Sequence, residues 1–172
     1  MVTLEILTYP DKFLRQPTQP VENIDEDINN LVKNMIETMF VASGIGLAAN
    51  QVGVLKQVIV FDYNLGKEKQ NPGTLINPEV ILSEGSITRD EACLSVIDFS
   101  SQVTRKAQVK VRGVDLQGHP VDIEAEELLA ICLQHEIDHL NGILFIDHIS
   151  NLKRSLYKKK LKKMLKRQKE DR

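Results

Sequence analysis

Apolar residues recur every three or four positions in the first part of the chain. They are Ile24, Ile28, Leu31, Val32, Met35, Ile36, Met39 and Phe40. This spacing puts them on one face of an α-helix. Asn23 or Asp25 is a suitable N-cap, and acidic residues fill the first turn, where the helix dipole favours negative charge. The pattern therefore predicts an amphipathic helix in this region.

The middle of the chain has the pattern of short strands separated by turns. SGIGLAANQVG is rich in small residues and predicts a loop or an irregular edge, whereas LKQVIVFDY predicts a strand. NLGKEKQNPG predicts a turn region, and TLINPEVILSEG predicts an extended segment with Pro78 at an edge position. Further on, SQVTRKAQVKVRGVDLQGHPVDIEA predicts two strands joined at LQGHP.

Two more helices are predicted after the strands. One covers about 125–141, with Gly142 as its C-terminal stop, and the other covers about 150–168. The order of helix, several short strands, helix and helix favours an α+β fold over alternating βαβ units.

Composition is that of an ordinary globular chain of 172 residues, 42% hydrophobic and 27% charged, long enough for one domain with a core. No apolar run approaches the roughly 20 residues of a membrane-spanning helix, and the start MVTLEILTYPDKFLRQP lacks signal-peptide features. We therefore expect a cytoplasmic protein without a membrane partner. Cys93 and Cys132 could form a disulfide by count alone, but a metal ligand or a buried thiol is favoured in that compartment.

Charge is distributed unevenly along the chain, although its net value is only −2. Residues 1–150 carry 11 Lys and Arg against 22 Asp and Glu, whereas residues 151–172 carry 11 against 2. We expect a single folded domain over 1–150 and a basic C-terminal helix or tail over 151–172. A basic tail on an acidic body is typical of a segment that meets a polyanion.

The stretch LLAICLQHEIDHLNGILF carries ionisable side chains within a run that is otherwise mostly apolar. His135 and His139 are four residues apart, so both rings project from one helix face and can chelate one metal ion. Glu136 is rotated away from that face, where it would contact a water molecule on the metal rather than the metal itself. This H-E-x-x-H pattern favours a metal site over a hydrogen-bonded structural cluster.

A catalytic site of this kind needs a third protein ligand. The longer protease signature places a His where this chain has Phe145, which cannot bind a metal. Asp147 and His148 lie past the helix end, so the ligand is expected upstream. Cys93 in DEACLSV is suited to zinc or ferrous iron as a thiolate, although a free Cys is more commonly a small buried residue.

Three motifs resemble the signature motifs of bacterial peptide deformylases. They are GIGLAANQ at 44–51, EACLS at 91–95 and QHEIDHL at 134–140, in the order found in that family. The resemblance covers about residues 4–150. It implies short antiparallel strands packed around a central metal-binding helix, with a C-terminal helix. It also implies that the 1–150 domain hydrolyses the formyl group of formyl-methionyl nascent polypeptides and releases formate.

The resemblance further implies a role for each matched residue. The metal ligands would be Cys93, His135 and His139. Glu136 would be the general base, and the Gln51 amide and the Leu94 backbone N–H would stabilise the oxyanion, each by about 3 kcal/mol. The substrate-binding residues would be Ile45, Gly46, Ala92, Leu128, Ile131 and Cys132. Glu91, paired with Arg105, would support the Cys93 loop.

Metal identity and substrate fit are open at this point. A Cys/His/His set suits several metals, and the resemblance favours one Fe²⁺ per chain, with Zn²⁺, Ni²⁺ or Co²⁺ as substitutes. An exposed thiolate beside ferrous iron would make the enzyme sensitive to oxygen. The second motif usually has Gly at the position of Ala92, whose methyl group could crowd or stiffen the edge of the cleft.

The basic C-terminal segment resembles the helix by which members of that family dock on the ribosome. Its apolar positions near one side are Leu152, Leu156, Leu161, Met164 and Leu165. We expect ribosomal RNA to be the partner of basic residues 153–169. Two alternatives remain for the whole chain, an H-E-x-x-H metallopeptidase and a catalytically impaired relative that binds the ribosome.

Overall fold

The computed structural model describes residues 2–170, apart from the side chains of residues 168 and 169. Its α-helices are α1 (Glu26–Val41), α2 (Glu127–Leu140) and α3 (Asn151–Glu170). Its strands are β1 (Gly46–Ala48), β2 (Val58–Asp62), β3 (Pro72–Glu84), β4 (Ile87–Cys93), β5 (Val96–Arg105), β6 (Gln108–Val114) and β7 (Pro120–Glu126). Short 3₁₀-helices cover Lys12–Arg15, Ala49–Val52 and Phe145–Asp147. The predicted α+β class is confirmed, and the last two residues of the predicted tail, 171 and 172, lie outside the described residues.

Five strands form an antiparallel sheet in the order β1-β2-β3-β6-β7, and β4 pairs with β5 in a separate hairpin. The prediction of two strands after residue 100 was wrong, because SQVTR is the end of β5 and three strands share that stretch. Strand β4 was not predicted from the sequence, because Thr88, Arg89 and Asp90 are all exposed. Without alternating apolar residues, a strand gives no periodic signal.

Pro78 lies in a strand between β2 and β6, but beyond the part of β3 that pairs with β2, which ends at Ile76. A register shift between Ile76 and Glu79 interrupts the pairing of β3 with β6, and such a bulge tolerates a residue that lacks an N–H. The neighbouring Asn77 accepts the N–H of Val21 at 2.8 Å and donates to its carbonyl at 2.9 Å. These bonds hold the irregular backbone in place.

Strand β2 contributes to the hydrophobic core on both faces of the large sheet. Val58 and Val60 belong to a cluster with the apolar face of α1, whereas Ile59 and Phe61 pack with α2. All four side chains are fully buried, and burial of such a side chain contributes about 1.5–3 kcal/mol. The predicted first helix is confirmed, and Asp25 caps it by accepting the N–H of Ile28 at 3.0 Å. The sheet thus fixes α2, which carries the motif histidines.

Helix α3 packs on the body through only part of the predicted apolar set. Leu161 is buried, but Leu152 and Leu156 are 70% and 57% exposed. The main anchor is Tyr157, which is 2% exposed, stacks on Phe99 at 4.5 Å and donates to a backbone carbonyl of β5. The division into a catalytic domain over 1–150 and a basic C-terminal segment over 151–172 stays a prediction. None of the helices in residues 2–170 is long and apolar enough to cross a membrane.

Replacing Gly142 by Ala is expected to lower the free energy of unfolding more than replacing Gly53 by Ala. Both glycines have positive φ, 73° and 82°, so each alanine costs about 1–2 kcal/mol in backbone strain. A Cβ on Gly142 would lie 2.4 Å from the backbone oxygen of Arg15, whereas nothing lies within 4 Å of one on Gly53. This overlap adds about 1–3 kcal/mol. Equal losses in urea denaturation would contradict this packing constraint.

Candidate metal centre

Three side chains from two of the motifs meet beside the middle of α2. One potential ligand atom from each of Cys93, His135 and His139 lies within 4.8 Å of the other two. The Cys93 sulfur is 3.1 Å from His139 Nε2, which is 3.2 Å from His135 Nε2. Strand β4 supplies the sulfur and α2 supplies both imidazoles. A thiolate and two imidazoles at this separation can hold a single cation.

The surroundings of these three atoms fit a metal ion. A shared cation would use the lone pairs of both Nε2 atoms and the sulfur together. Cys93 and Cys132 are both free thiols, so no disulfide removes the sulfur from the site. The Ser95 backbone N–H points at the sulfur from 3.4 Å and Gln51 Nε2 from 3.7 Å. Such donors stabilise the negative charge of a thiolate.

Glu91 holds the His135 ring from the side opposite the sulfur. Its carboxylate lies 2.9 Å from His135 Nδ1 and accepts two hydrogen bonds from Arg105, at 2.7 and 3.0 Å. Burial would raise the pKa of Glu91, but the hydrogen bonds from His135 and Arg105 lower it to about 2. Because an ionised carboxylate only accepts, His135 carries its hydrogen on Nδ1. The lone pair of Nε2 is thereby directed at Cys93 and His139.

Glu136 lies next to the cluster in a setting that leaves part of its carboxylate unpaired. The residue is 5% exposed, and burial raises the pKa of its carboxyl to about 7. Within residues 2–170, its Oε2 atom has no hydrogen-bond partner. A Cβ on Gly46 would lie 2.4 Å from Glu136 Oε1, so β1 passes directly over the carboxylate. A buried carboxylate with a free oxygen is suited to bind water or a polar substrate atom.

The cluster opens into a cavity of about 350 Å³. Of the predicted site residues, those that line it are Ile45, Gly46, Gln51, Glu91, Ala92, Cys93, Leu94, Leu128, Ile131, Cys132, His135 and Glu136. His139 and Arg105 lie behind this wall and are buried. Ser43, Gly44 and Asp90 also line the cavity. The apolar part of the wall comes from one turn of α2, which makes it suited to an apolar side chain.

Gln51 is fixed at the cavity wall by its own amide group. Its Oε1 accepts the Ala48 N–H at 2.8 Å, and its Nε2 donates to Ser95 Oγ at 3.0 Å. An amide nitrogen has two hydrogens, and the second points towards the Cys93 sulfur, 3.7 Å away. The sequence did not point to Ser95, which is fully buried; its only signal is a hydroxyl between the apolar residues Leu94 and Val96. It also missed Asn50, whose side chain donates to the backbone carbonyl of His139.

Two positions bear on the alternatives left open by the sequence. Phe145, at the place of the third protease ligand, is 1% exposed and stacks on the His135 ring at 6.1 Å. That residue therefore supports a ligand without being one. Ala92 is exposed in β4, opposite Ser100 of β5, and does not have a positive φ. Its methyl group is accommodated without backbone strain.

Comparison with known proteins gives matches over nearly the whole chain. Residues 3–155 match the family model for polypeptide deformylase. The peptide deformylase of Thermodesulfovibrio yellowstonii is 51% identical over 162 residues, which cover 94% of this chain and 98% of the relative. A crystal structure of a peptide deformylase from Legionella pneumophila has a TM-score of 0.90 at 42% identity, covering 97% of this chain and 98% of that one.

A second solved structure gives a similar match. The peptide deformylase of Ehrlichia chaffeensis in complex with actinonin has a TM-score of 0.89 and 38% identity, covering 95% of this chain and 98% of that one. The sequence and the fold thus match the same family over nearly the whole chain. This chain belongs to the polypeptide deformylase family.

Proposed function

We propose that this chain is a metal-dependent hydrolase that removes the formyl group from the N-terminal formyl-methionine of nascent polypeptides and releases formate. The observation that carries the proposal is the convergence of Cys93, His135 and His139 beside Glu136, at the end of an apolar cavity. The family membership supports the same reaction.

The metal would be held by Cys93, His135 and His139, with Glu91 and Arg105 orienting the His135 ring. A divalent ion bound there supplies a Lewis acid that lowers the pKa of water towards neutrality. We propose Fe²⁺ as the working metal and Zn²⁺, Ni²⁺ or Co²⁺ as substitutes, since a mixed thiolate and imidazole set accepts all four.

The remaining residues divide the chemistry of amide hydrolysis among them. Glu136 takes a proton from the attacking water and returns it to the departing amine of methionine. As the new C–O bond forms, negative charge develops on the former formyl oxygen. The Gln51 amide hydrogen that points towards the Cys93 sulfur and the Leu94 backbone N–H donate to this oxygen, and one such donor is worth about 3 kcal/mol of barrier. Cleavage of the C–N bond then yields formate and a free N-terminal amine.

Substrate binding follows from the two walls of the cavity. The apolar wall of Leu128, Ile131 and Cys132 would surround the methionine side chain. On the other side, Ile45 and Gly46 would contact the peptide backbone, and the missing side chain of Gly46 permits a close approach. Ala92 would lie at the mouth, where the residues that follow methionine leave the cavity.

Formate release from formyl-Met-Ala-Ser tests the proposed reaction, and Glu136→Gln tests the proposed base. The variant keeps the size of the side chain but cannot accept the proton, so kcat is expected to fall by about 10²–10⁴. Its metal content should be unchanged, because Glu136 is not a ligand. Glu124→Gln, an exposed carboxylate on β7, is the matched control and should keep wild-type kcat.

The same assay separates the alternative functions. An unblocked internal peptide is incubated in parallel, and cleavage of that peptide would instead indicate a metallopeptidase. A metal-loaded wild-type protein that acts on neither substrate would indicate a binding protein without turnover. Near-wild-type kcat in Glu136→Gln would reject the assigned base while leaving the reaction itself intact.

The Fe²⁺ form is expected to lose activity in air within minutes to hours, whereas the Zn²⁺ and Ni²⁺ forms keep theirs. Cys93 is partly exposed at the cavity, so oxidants can reach both the sulfur and the metal. Protein purified anaerobically and loaded with each metal is exposed to air, and formate release is followed with time. Equal half-lives of the three forms would argue against iron as the oxygen-sensitive working metal.

We further propose that basic residues 153–169 dock on ribosomal RNA, which places the enzyme in the cytoplasm beside its nascent substrates. Tyr157 and Leu161 attach α3 to the body, and this leaves the other side of the helix to its lysines. Lys159 and Lys163 are both exposed there, one turn apart. Phosphate contacts by such residues release counterions, so binding weakens steeply with salt.

Charge reversal tests this docking better than truncation, because removal of α3 would uncover the partners of buried Tyr157. Lys159→Glu together with Lys163→Glu is expected to weaken co-sedimentation with ribosomes and to reduce the salt dependence of log Kd by about 2. Lys67→Glu with Lys69→Glu changes the same charge on an exposed loop and serves as the control. Identical binding by both double variants would remove the proposal.

A further inference from the structure

Arg105 is held by a second carboxylate, on the side away from Glu91. Its Nη1 donates to Asp138 Oδ2, which also lies 2.7 Å from His148 Nε2. The side chains of Arg105, Asp138 and His148 are 5%, 20% and 36% exposed. Hydrogen bonds therefore run without interruption from the ring of His135, through Glu91, Arg105 and Asp138, to a histidine at the surface.

This set of hydrogen bonds ties together segments that are distant in sequence. Asp138 lies on α2, immediately before His139, so the same helix turn carries a potential metal ligand and an anchor for Arg105. Arg105 is the last residue of β5, and His148 follows the 3₁₀-helix Phe145–Asp147. The position of the Arg105 guanidinium is thus set by α2 and by the segment that follows it.

The net charge around Glu91 and the geometry of its pair with Arg105 both depend on Asp138. If Arg105 were paired with Glu91 alone, the two charges would cancel. With both Glu91 and Asp138 beside the guanidinium, the group has a net negative charge near the His135 ring. With Nη1 occupied by Asp138, the Nε and Nη2 atoms of Arg105 face Glu91 as a two-pronged donor. An imidazole that donates to an anion is a stronger metal ligand at its other nitrogen.

We propose that Asp138 and His148 are positioning residues of the metal centre. Asp138 orients Arg105, and through it Glu91 and the His135 ring, while His148 orients Asp138. The inference rests on the proposed function only in taking the Cys93, His135 and His139 cluster as a metal site. Loss of an outer partner of this kind typically changes metal affinity 10–100-fold.

Cobalt release by Asp138→Asn tests the proposal. The visible absorption of thiolate-bound Co²⁺ reports occupancy, and its decay in excess chelator gives the release rate. We expect release about tenfold faster than from the wild type, together with a lower kcat and an unchanged KM for formyl-Met-Ala-Ser. Glu91→Ala should release the ion at least as fast, because it removes the direct partner of His135.

The matched control is Asp122→Asn. Asp122 accepts a two-pronged pair from Arg112, at 2.8 and 2.9 Å, across β6 and β7. The chemical change is the same, but this pair belongs to the exposed edge region of the sheet and lines no part of the cavity. Its variant should match the wild type in cobalt release, spectrum and kcat. A general effect of losing an Arg–Asp pair would instead appear in both variants and overturn the proposal.

Variants of His148 test whether this residue orients Asp138. If Asp138→Asn does not fold, the His148 variants alone decide whether the proposal holds. His148→Ala removes the donor to Asp138 and should accelerate cobalt release, whereas His148→Gln retains an N–H and should restore the wild-type rate. His119→Ala removes an exposed histidine beside Asp115 and is the control. The proposal is overturned if a folded Asp138→Asn variant releases cobalt at the wild-type rate. If that variant does not fold, cobalt release at the wild-type rate from His148→Ala overturns it. Absence of formate release by the wild type would reject the proposed function, while the cobalt rates would still decide the positioning roles.

Discussion

Burial of ionisable side chains on α2 is the constraint on which the rest of the structure depends. A buried charge without a partner costs several kcal/mol, and this helix places His135, Glu136 and His139 in the interior. The two histidines are compensated from outside the helix, by Cys93 and Glu91 of β4 and, through Glu91, by Arg105, whereas burial raises the pKa of Glu136 to about 7. Docking of the β4–β5 hairpin on α2 therefore stabilises the buried histidines and assembles the site at the same time.

The large sheet supplies the rigidity that this compensation needs. Residues of β2 alternate between the cluster with α1 and the cluster with α2, so the sheet cannot shift towards one helix without losing contacts with the other. β1, at the sheet edge, then passes so close to Glu136 that only glycine fits at position 46. The backbone of β1 at Gly46 thus forms one wall of the cavity, and apolar side chains of α2 form the other. Such a cavity suits an extended peptide that ends in a large apolar residue.

The features that the sequence predicted are those encoded by local spacing. The spacing of the two histidines and the apolar face of α1 follow from the 3.6-residue period of a helix, the stop follows from Gly142, and β2 follows from a short apolar run. The β4–β5 hairpin could not be predicted in this way, because the exposed residues of β4 give no alternating apolar pattern and its buried polar residues Glu91 and Arg105 pair with each other across the strands. The resemblance to a family supplied Cys93 and the pairing of Glu91 with Arg105, whereas the contacts of Asp138 and Ser95 required coordinates. For α3, the helical spacing of the sequence could not show that Tyr157, rather than Leu152 or Leu156, attaches the helix to the body.

The attachment of α3 explains how a charged helix can be added to the enzyme without disturbing the cavity. Tyr157 and Leu161 share a core with Val96 and Val103 of β5 and with Phe145, which stacks on His135. The helix therefore rests on the hairpin that supplies the Cys93 sulfur, and it does so through stacked rings and buried apolar contacts. Such contacts are stiff, since interiors pack as densely as organic crystals. A polyanion bound to the exposed lysines would lie on the side of α3 opposite Tyr157 and Leu161, the residues that attach the helix to the hairpin.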